Sequence, residues 1–173
     1  MSSDFVDKWD TKVEITINEF FNPSNSTPHP GIVSIVRKME EIMGKEKAHK
    51  LLIDIMTQQV TNSVERMKKN VSINSFQDFL NLTPKEHPIY SHALDVEQIE
   101  LTNKVSKFRV HSCIWVEAWK RLGATDIGFI WNCSSDFVQA ETLHPSLKLE
   151  RTQTLMEGHD YCNFKYYWEE DNG

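Results

Sequence analysis

The chain has 173 residues, 25% of them charged, with a formal net charge of −6 and a pI near 5.6. That length suits a single domain, 1–173, able to bury a core without covalent staples. The acidic balance argues against nucleic acid as a partner, and no apolar run approaches the roughly 20 residues that cross a bilayer. The opening Met-Ser-Ser-Asp-Phe-Val-Asp lacks the basic and apolar parts of a signal peptide, so a cytoplasmic location and no membrane partner are expected. In that compartment the sequons at Asn25, Asn70, Asn81 and Asn132 read as chance matches. The three cysteines form no CxxC pair and read as free thiols or ligands.

In chain order, Phe5, Trp9, Val13, Ile17 and Phe20 or Phe21 recur at near-helical spacing and predict a first helix, although Val13, Ile15 and Ile17 also alternate as in a strand. Asn22 to Gly31, with three prolines, predicts a loop. Two helices come next. One carries the apolar stripe Ile32, Ile35, Val36, Met39 and Met43 and ends near Gly44; the longer one carries Ala48, Leu51, Leu52, Ile55, Met56, Val60, Val64 and Met67. These stripes are expected to be core. The basic run Arg66 to Lys69 then reads as a solvated helix end. A short helix over Ser75 to Leu82 takes Ser75 as its N-cap, and Thr83 to His92, with two prolines, ends the helical layer, 1–92.

From 93 to 170 the period shortens. Leu94 to Leu101 and Val105 to His111 read as strands joined by a two-residue turn at Asn103-Lys104. The second strand delivers Cys113 into a helix, Ile114 to Leu122, which Gly123 closes. Asp126 to Cys133 alternates Ile127, Phe129, Trp131 and Cys133 and predicts a third strand, followed by a short helix around Asp136 to Glu141. Leu147 to Met156 and Tyr161 to Trp168 predict a closing hairpin. The architecture expected is α+β: N-terminal helices packed on a C-terminal antiparallel sheet of about five strands. A turn at Gly158-His159 pairs Leu155 with Cys162, which puts Arg151, Gln153 and Leu155 on one face with Cys162, Phe164 and Tyr166. A guanidinium, an amide, a thiol and aromatic rings on one face suit a pocket.

Each candidate has a plain alternative. Cys113 and Cys133 both stand just before a predicted helix, where backbone N–H groups stabilise a thiolate, yet all three cysteines also fit as small buried hydrophobes. Glu117 lies four residues after Cys113 and faces either the same way or solvent. Asp136 serves as an acid or base beside Cys133, as the N-cap of its helix, or as both. Arg151 fits a carboxylate clamp or an ion pair with Glu150 or Glu169. His159 sits in a turn, and His144 before Pro145 is a weaker candidate. Cys113, Cys133 and Cys162, with Glu117 or His159, also offer a metal-ligand set, though at spacings unlike those of zinc fingers. The chain has no glycine-rich nucleotide fingerprint and no HExxH pattern, so no organic cofactor is expected.

Three segments carry a resemblance. They are Cys113-Ile-Trp-Val-Glu117-Ala-Trp-Lys-Arg-Leu-Gly123, then Cys133-Ser-Ser-Asp136 with Pro145, then Arg151-Thr-Gln-Thr-Leu-Met-Glu-Gly158 through Asp160-Tyr-Cys162-Asn-Phe164. Over roughly the last 80 residues the chain resembles the L-2-amino-thiazoline-4-carboxylic acid hydrolase family. The resemblance implies hydrolytic opening of a small carboxylated cyclic amidine, with a small-molecule substrate as partner and no cofactor. It implies Cys133 as nucleophile or water-polarising group, Asp136 as acid or base, and Arg151 as carboxylate anchor. Cys113, Glu117, Cys162, Gln153, Phe164 and His159 complete the site. A noncatalytic small-molecule-binding module is the rival reading, and self-association into a homo-oligomer stays open.

Overall fold

The two long helices set the frame. In the computed structural model, which describes residues 12, 14, 30–82 and 93–169, helix α1 spans Pro30–Met43 and α2 spans Lys45–Lys68. Proline suits a first helical turn, because its missing N–H has no intrahelical acceptor to satisfy there. The helix therefore begins inside the stretch expected to be a loop. The rest of that loop, almost all of the Phe5 to Phe21 segment and the Thr83 to His92 connector lie outside the described residues. Helix α3, Phe76–Leu82, is capped as expected: Asp78 N–H donates to Ser75 Oγ at 3.2 Å, and Ser75 Oγ–H donates back to Asp78 Oδ2 at 2.8 Å.

The apolar stripes of α1 and α2 are only partly buried. Val36, Ala48, Leu52, Met56 and Val64 are core, whereas Ile35, Met43, Leu51 and Ile55 are exposed. Helix α2 meets its neighbours mainly along one row of residues four apart, so the flanking apolar positions stay outside it.

Strands β1, Leu94–Leu101, and β2, Val105–Cys113, form the expected hairpin, with Thr102 N–H donating to Val105 O at 2.8 Å across the turn. β2 runs directly into α4, Ile114–Arg121, and Gly123 comes after it at φ 61°, a backbone that glycine adopts freely. The next segment departs from expectation. Thr125–Gly128 is a helical turn, α5; Phe129–Cys133 is a π-helical turn; and Ser135–Leu143 is helix α6. The alternation of Ile127, Phe129, Trp131 and Cys133 misled because burial tracks Ile127, Gly128 and Ile130 instead. Gly128 lies against the Trp119 indole so closely that a Cβ there would sit 2.5 Å from Trp119 Cγ. Packing against Trp119, nine residues earlier, thus overrides the local β pattern.

Without that strand the sheet has four strands, ordered β1-β2-β4-β3 and antiparallel throughout. β3 is Leu147–Glu150 and β4 is Cys162–Trp168. β3 stops well short of the expected Met156: residues 151–154 are irregular and Leu155–Glu157 form a 3-10 turn. Glu150 pairs with Lys165 and Leu149 with Tyr166, a register displaced by two residues from the expected one. A two-residue displacement keeps every side chain on its predicted face. The fold is α+β. One core cluster joins Val36, Leu52 and Met56 to Val116, Trp119, Ile127, Ile130 and Met156. A second joins Val64, Ile73 and Phe76 to Ala140, Leu143 and Leu147, with Tyr166 and Trp168 packed on it.

Candidate functional site

Four elements deliver the polar residues of the interior. Cys113 ends β2 at the N-terminus of α4, Cys133 ends the π turn, Asp136 lies in the first turn of α6, and Cys162 begins β4. Arg151, just past β3, ties two of them together. Its Nη1 donates to Asp136 Oδ2 at 2.5 Å and its Nη2 donates to Cys133 O at 2.5 Å. Its side chain is only 2% exposed, with the guanidinium 5.0 Å from the Phe137 ring centroid and 4.8 Å from that of Phe164. Stacking on aromatic faces and a forked hydrogen-bond pattern are what a buried guanidinium needs to offset its desolvation. The parity read from the sequence therefore holds: Arg151 meets Phe164, and Leu155 N–H donates to Cys162 Sγ at 3.2 Å.

The π turn slips the helical hydrogen-bond register by one, with Ser134 N–H donating to Phe129 O at 2.8 Å. Such turns recur at functional sites. It also puts Cys133 in a helical turn before α6, not at the end of a strand.

The proton equilibria of the cluster are coupled. Burial pushes the Cys113 thiol up to about 11, against the N–H groups of Val116 and Trp115, which favour the thiolate. Burial raises Cys133 further, with Arg151 opposing, and raises Cys162 against the Leu155 N–H. The helix N-terminus expected to activate both thiols acts on Cys113 alone, where desolvation outweighs it; Cys133 receives no such N–H contact among the described residues, and both rest as thiols at neutral pH. Asp136 is also raised by burial, with Arg151 pulling it back. Its side chain keeps 29% of its surface open while protein encloses it closely enough to desolvate the charge.

The remaining expected residues fall outside this cluster or on its border. Gln153 Nε2 donates to Tyr161 O at 3.0 Å and shapes the loop after Arg151. Glu117 pairs with Lys120 at 3.0 Å, and His159 is exposed in the turn. His144 stacks on Trp168, with centroids 4.5 Å apart. Asp136 makes no capping hydrogen bond, and Arg151 pairs with neither Glu150 nor Glu169, which hold Lys165 and Lys148. Sequence reasoning did not single out Phe137, which nothing but its place beside Asp136 marks, or Phe108, whose ring lies 4.9 Å from that of Phe164 at an interplanar angle of 9°. Tyr166 was placed on the right face but not chosen.

The three cysteine sulfurs do not all lie within 4.8 Å of one another, so they make no compact metal set. Among the described residues, the group of three or more potential ligands is Glu40, His49 and Asp126. Arg37 donates to both of those carboxylates and Lys45 donates to Asp126, so the group is already neutralised by cations. Two surface clefts, one along Thr125, Phe129 and Met156 and one beside Ile73 and Pro145, include none of the clustered residues.

Residues 25–166 match the family of L-2-amino-thiazoline-4-carboxylic acid hydrolases. The chain belongs to that family. The match reaches from before α1 to near the end of β4, well beyond the cysteine-bearing segments that carried the resemblance. It takes in Cys113, Cys133, Asp136, Arg151 and Cys162 together, and the family name supports a hydrolase-like function. No curated protein matches the chain. Among solved structures it is similar to the phenol-responsive sensory domain of the transcription activator PoxR with phenol, at 11% identity and a TM-score of 0.47 over 82% of this chain and 75% of that one. No helix among the described residues is long and apolar enough to cross a membrane.

Proposed function

We propose that this family member opens a small cyclic amidine by hydrolysis, the carboxylated 2-aminothiazoline of the family name being its type of substrate. The observation that supports this reading is the clustering of Asp136 and the Cys133 carbonyl on the Arg151 guanidinium, with Cys113 and Cys162 close enough to act on the Cys133 thiol. Water adds its oxygen to the amidine carbon while the C=N electron pair moves to nitrogen, which takes a proton. The tetrahedral carbon then expels either the ring sulfur or the ring nitrogen, and the departing atom takes the second proton. The product is a urea bearing a free thiol, or a thiocarbamate bearing a free amine, and no redox step is needed.

Asp136 takes the proton from the attacking water and returns it to the leaving atom, a role that suits a carboxyl whose burial moves it toward neutral pH. Cys133, resting as a thiol, orients the water, or becomes the nucleophile once Asp136 accepts its proton. Arg151 holds Asp136 in place. With both terminal nitrogens engaged and the side chain enclosed, it reaches a substrate carboxylate only by giving up Asp136. Phe164 stacks on Arg151 and Cys162 lies beside the pair; Glu117 and His159 have no part in the chemistry.

The raised thiols favour a second reading, a binding module without turnover, because a ready thiolate is lacking. Incubating the protein with L-2-amino-thiazoline-4-carboxylic acid and following the uptake of one water by mass spectrometry separates the two. The hydrolase reading expects turnover that Asp136→Asn abolishes. Binding without turnover selects the module.

A further inference from the structure

The Leu155–Glu157 turn meets both a surface cleft and the buried thiols. The cleft, of about 350 Å³, runs between Thr125, Asp126 and Phe129 on one side and Met156 and Glu157 on the other. Met156 is buried and belongs to the core cluster on which Cys113, Cys133 and Leu155 also pack. Leu155, one residue earlier, donates its N–H to Cys162 Sγ at 3.2 Å. One short turn therefore touches the cleft through Met156 and Glu157, and the thiols through Leu155.

The turn is bonded mainly to itself. Glu157 N–H donates to Thr154 Oγ1 at 3.2 Å while the Thr154 hydroxyl donates to Glu157 Oε2 at 2.8 Å. The N–H groups of Gly158 and His159 donate to Leu155 O and Thr154 O, both at 3.2 Å. Among the described residues, only the Leu155 N–H bonds outside 154–159. The neck below this head is stapled separately: Gln153 Nε2 donates to Tyr161 O at 3.0 Å, and Gln153 N–H donates to Asn163 Oδ1 at 2.9 Å. Moving the head on its neck costs one weak N–H···S bond and the packing of Thr154, Leu155 and Met156, and leaves every strand paired. Segments tied to the fold by so few bonds open without the rest of it, and methionine, unbranched and adaptable, suits a position that empties and refills.

We propose that residues 154–159 form a gate, which swings out as a unit and draws Met156 from the core, so that the cleft becomes the way in to Cys162 and the groups beside it. The cluster needs such a route in the closed arrangement: the Arg151 side chain and Cys162 are buried, and neither surface cleft includes any of the clustered residues. The gate goes beyond the hydrolase reading, since a binding module needs the same entrance.

The test is alkylation of the folded full chain with iodoacetamide at fixed pH, read at Cys162 by mass spectrometry across urea concentrations below the unfolding transition. Gated access makes the Cys162 rate nearly independent of urea, because the opening exposes little surface. Val64→Ala, in the second core cluster, lowers global stability and leaves that rate unchanged. Thr154→Val, which removes the hydrogen bonds that hold the turn together, raises it about tenfold, the worth of roughly one hydrogen bond. A Cys162 rate that climbs with urea and with Val64→Ala in step with global unfolding overturns the gate. So does a Thr154→Val rate that rises no more than its loss of global stability accounts for.

Discussion

The molecule contains two arginine–aspartate pairs with opposite consequences. Arg37 grips Asp126 through both carboxylate oxygens, at 2.8 and 3.0 Å, and Lys45 adds a third contact at 2.6 Å. Asp126 is held well below its ordinary value, chiefly by Arg37. Arg151 grips Asp136 through one oxygen at 2.5 Å, yet burial moves Asp136 upward. The two carboxylate side chains are almost equally open, 30% and 29%, so exposure does not separate them. What separates them is the surroundings: cations and solvent around Asp126, thiols and aromatic rings around Asp136. The first pair clips α1 to α5 at the surface. The second holds a carboxyl that burial raises, which suits the acid–base role proposed for Asp136.

Removing the arginines exposes the contrast most strongly. Arg151→Met leaves Asp136 enclosed without its partner and destabilises the fold by about 3–5 kcal/mol, whereas Arg37→Met, at a partly exposed site, costs about 1 kcal/mol or less. Urea unfolding measures both, and equal losses would erase the distinction. A cost of about 1–3 kcal/mol is expected for Gly128→Ala, because the added methyl drives into Trp119 and displaces the turn that carries Asp126. Wild-type stability there would mean the indole moves aside freely.

The two aspartates also predict opposite pH dependence. Asp126, lowered in the folded state, contributes stability that is complete above its ordinary value near 3.8 and is lost as pH falls below it. Asp136, raised in the folded state, contributes a penalty that is absent below that ordinary value and grows as pH rises through its folded value. Asp126→Asn therefore lowers stability at neutral pH and flattens the acid-side loss. Asp136→Asn flattens the decline on the other side. Unfolding midpoints across acid to neutral pH check both. The smallest effect expected is in thiol labelling: at neutral pH Cys113 and Cys133 react with an alkylating reagent only slowly, and denaturation releases both. Fast labelling of folded Cys133 would restore a resting thiolate.

Much of the fold was legible from residue spacing. The two long helices, the first hairpin, the Ser75 cap and the Gly123 stop come from local periodicity and turn chemistry, which act over a few residues. The shared face of Arg151, Phe164 and Cys162 was legible although the register was displaced, because a shift of two preserves parity. The helical path of Asp126 to Cys133 was not, since it depends on how the Trp119 indole packs on Gly128 after the intervening turn. Nor was the suppression of the thiolates: the helix N-terminus beside Cys113 is visible in the sequence, and the desolvation that outweighs it is a property of packing. Asp136 and Arg151 were each identified as candidates, but their engagement with each other was not, because α6 and the end of β3 meet only in the folded chain.

The most direct measurement is a carbon-13 NMR titration of the aspartate carboxyls, with Asp136→Asn and Asp126→Asn assigning the two signals. Asp136 is predicted to take its proton above the ordinary aspartate value while Asp126 stays ionised to far lower pH. An Asp136 that titrates at or below that value would make it a second structural ion pair and remove the acid–base centre from the proposed reaction.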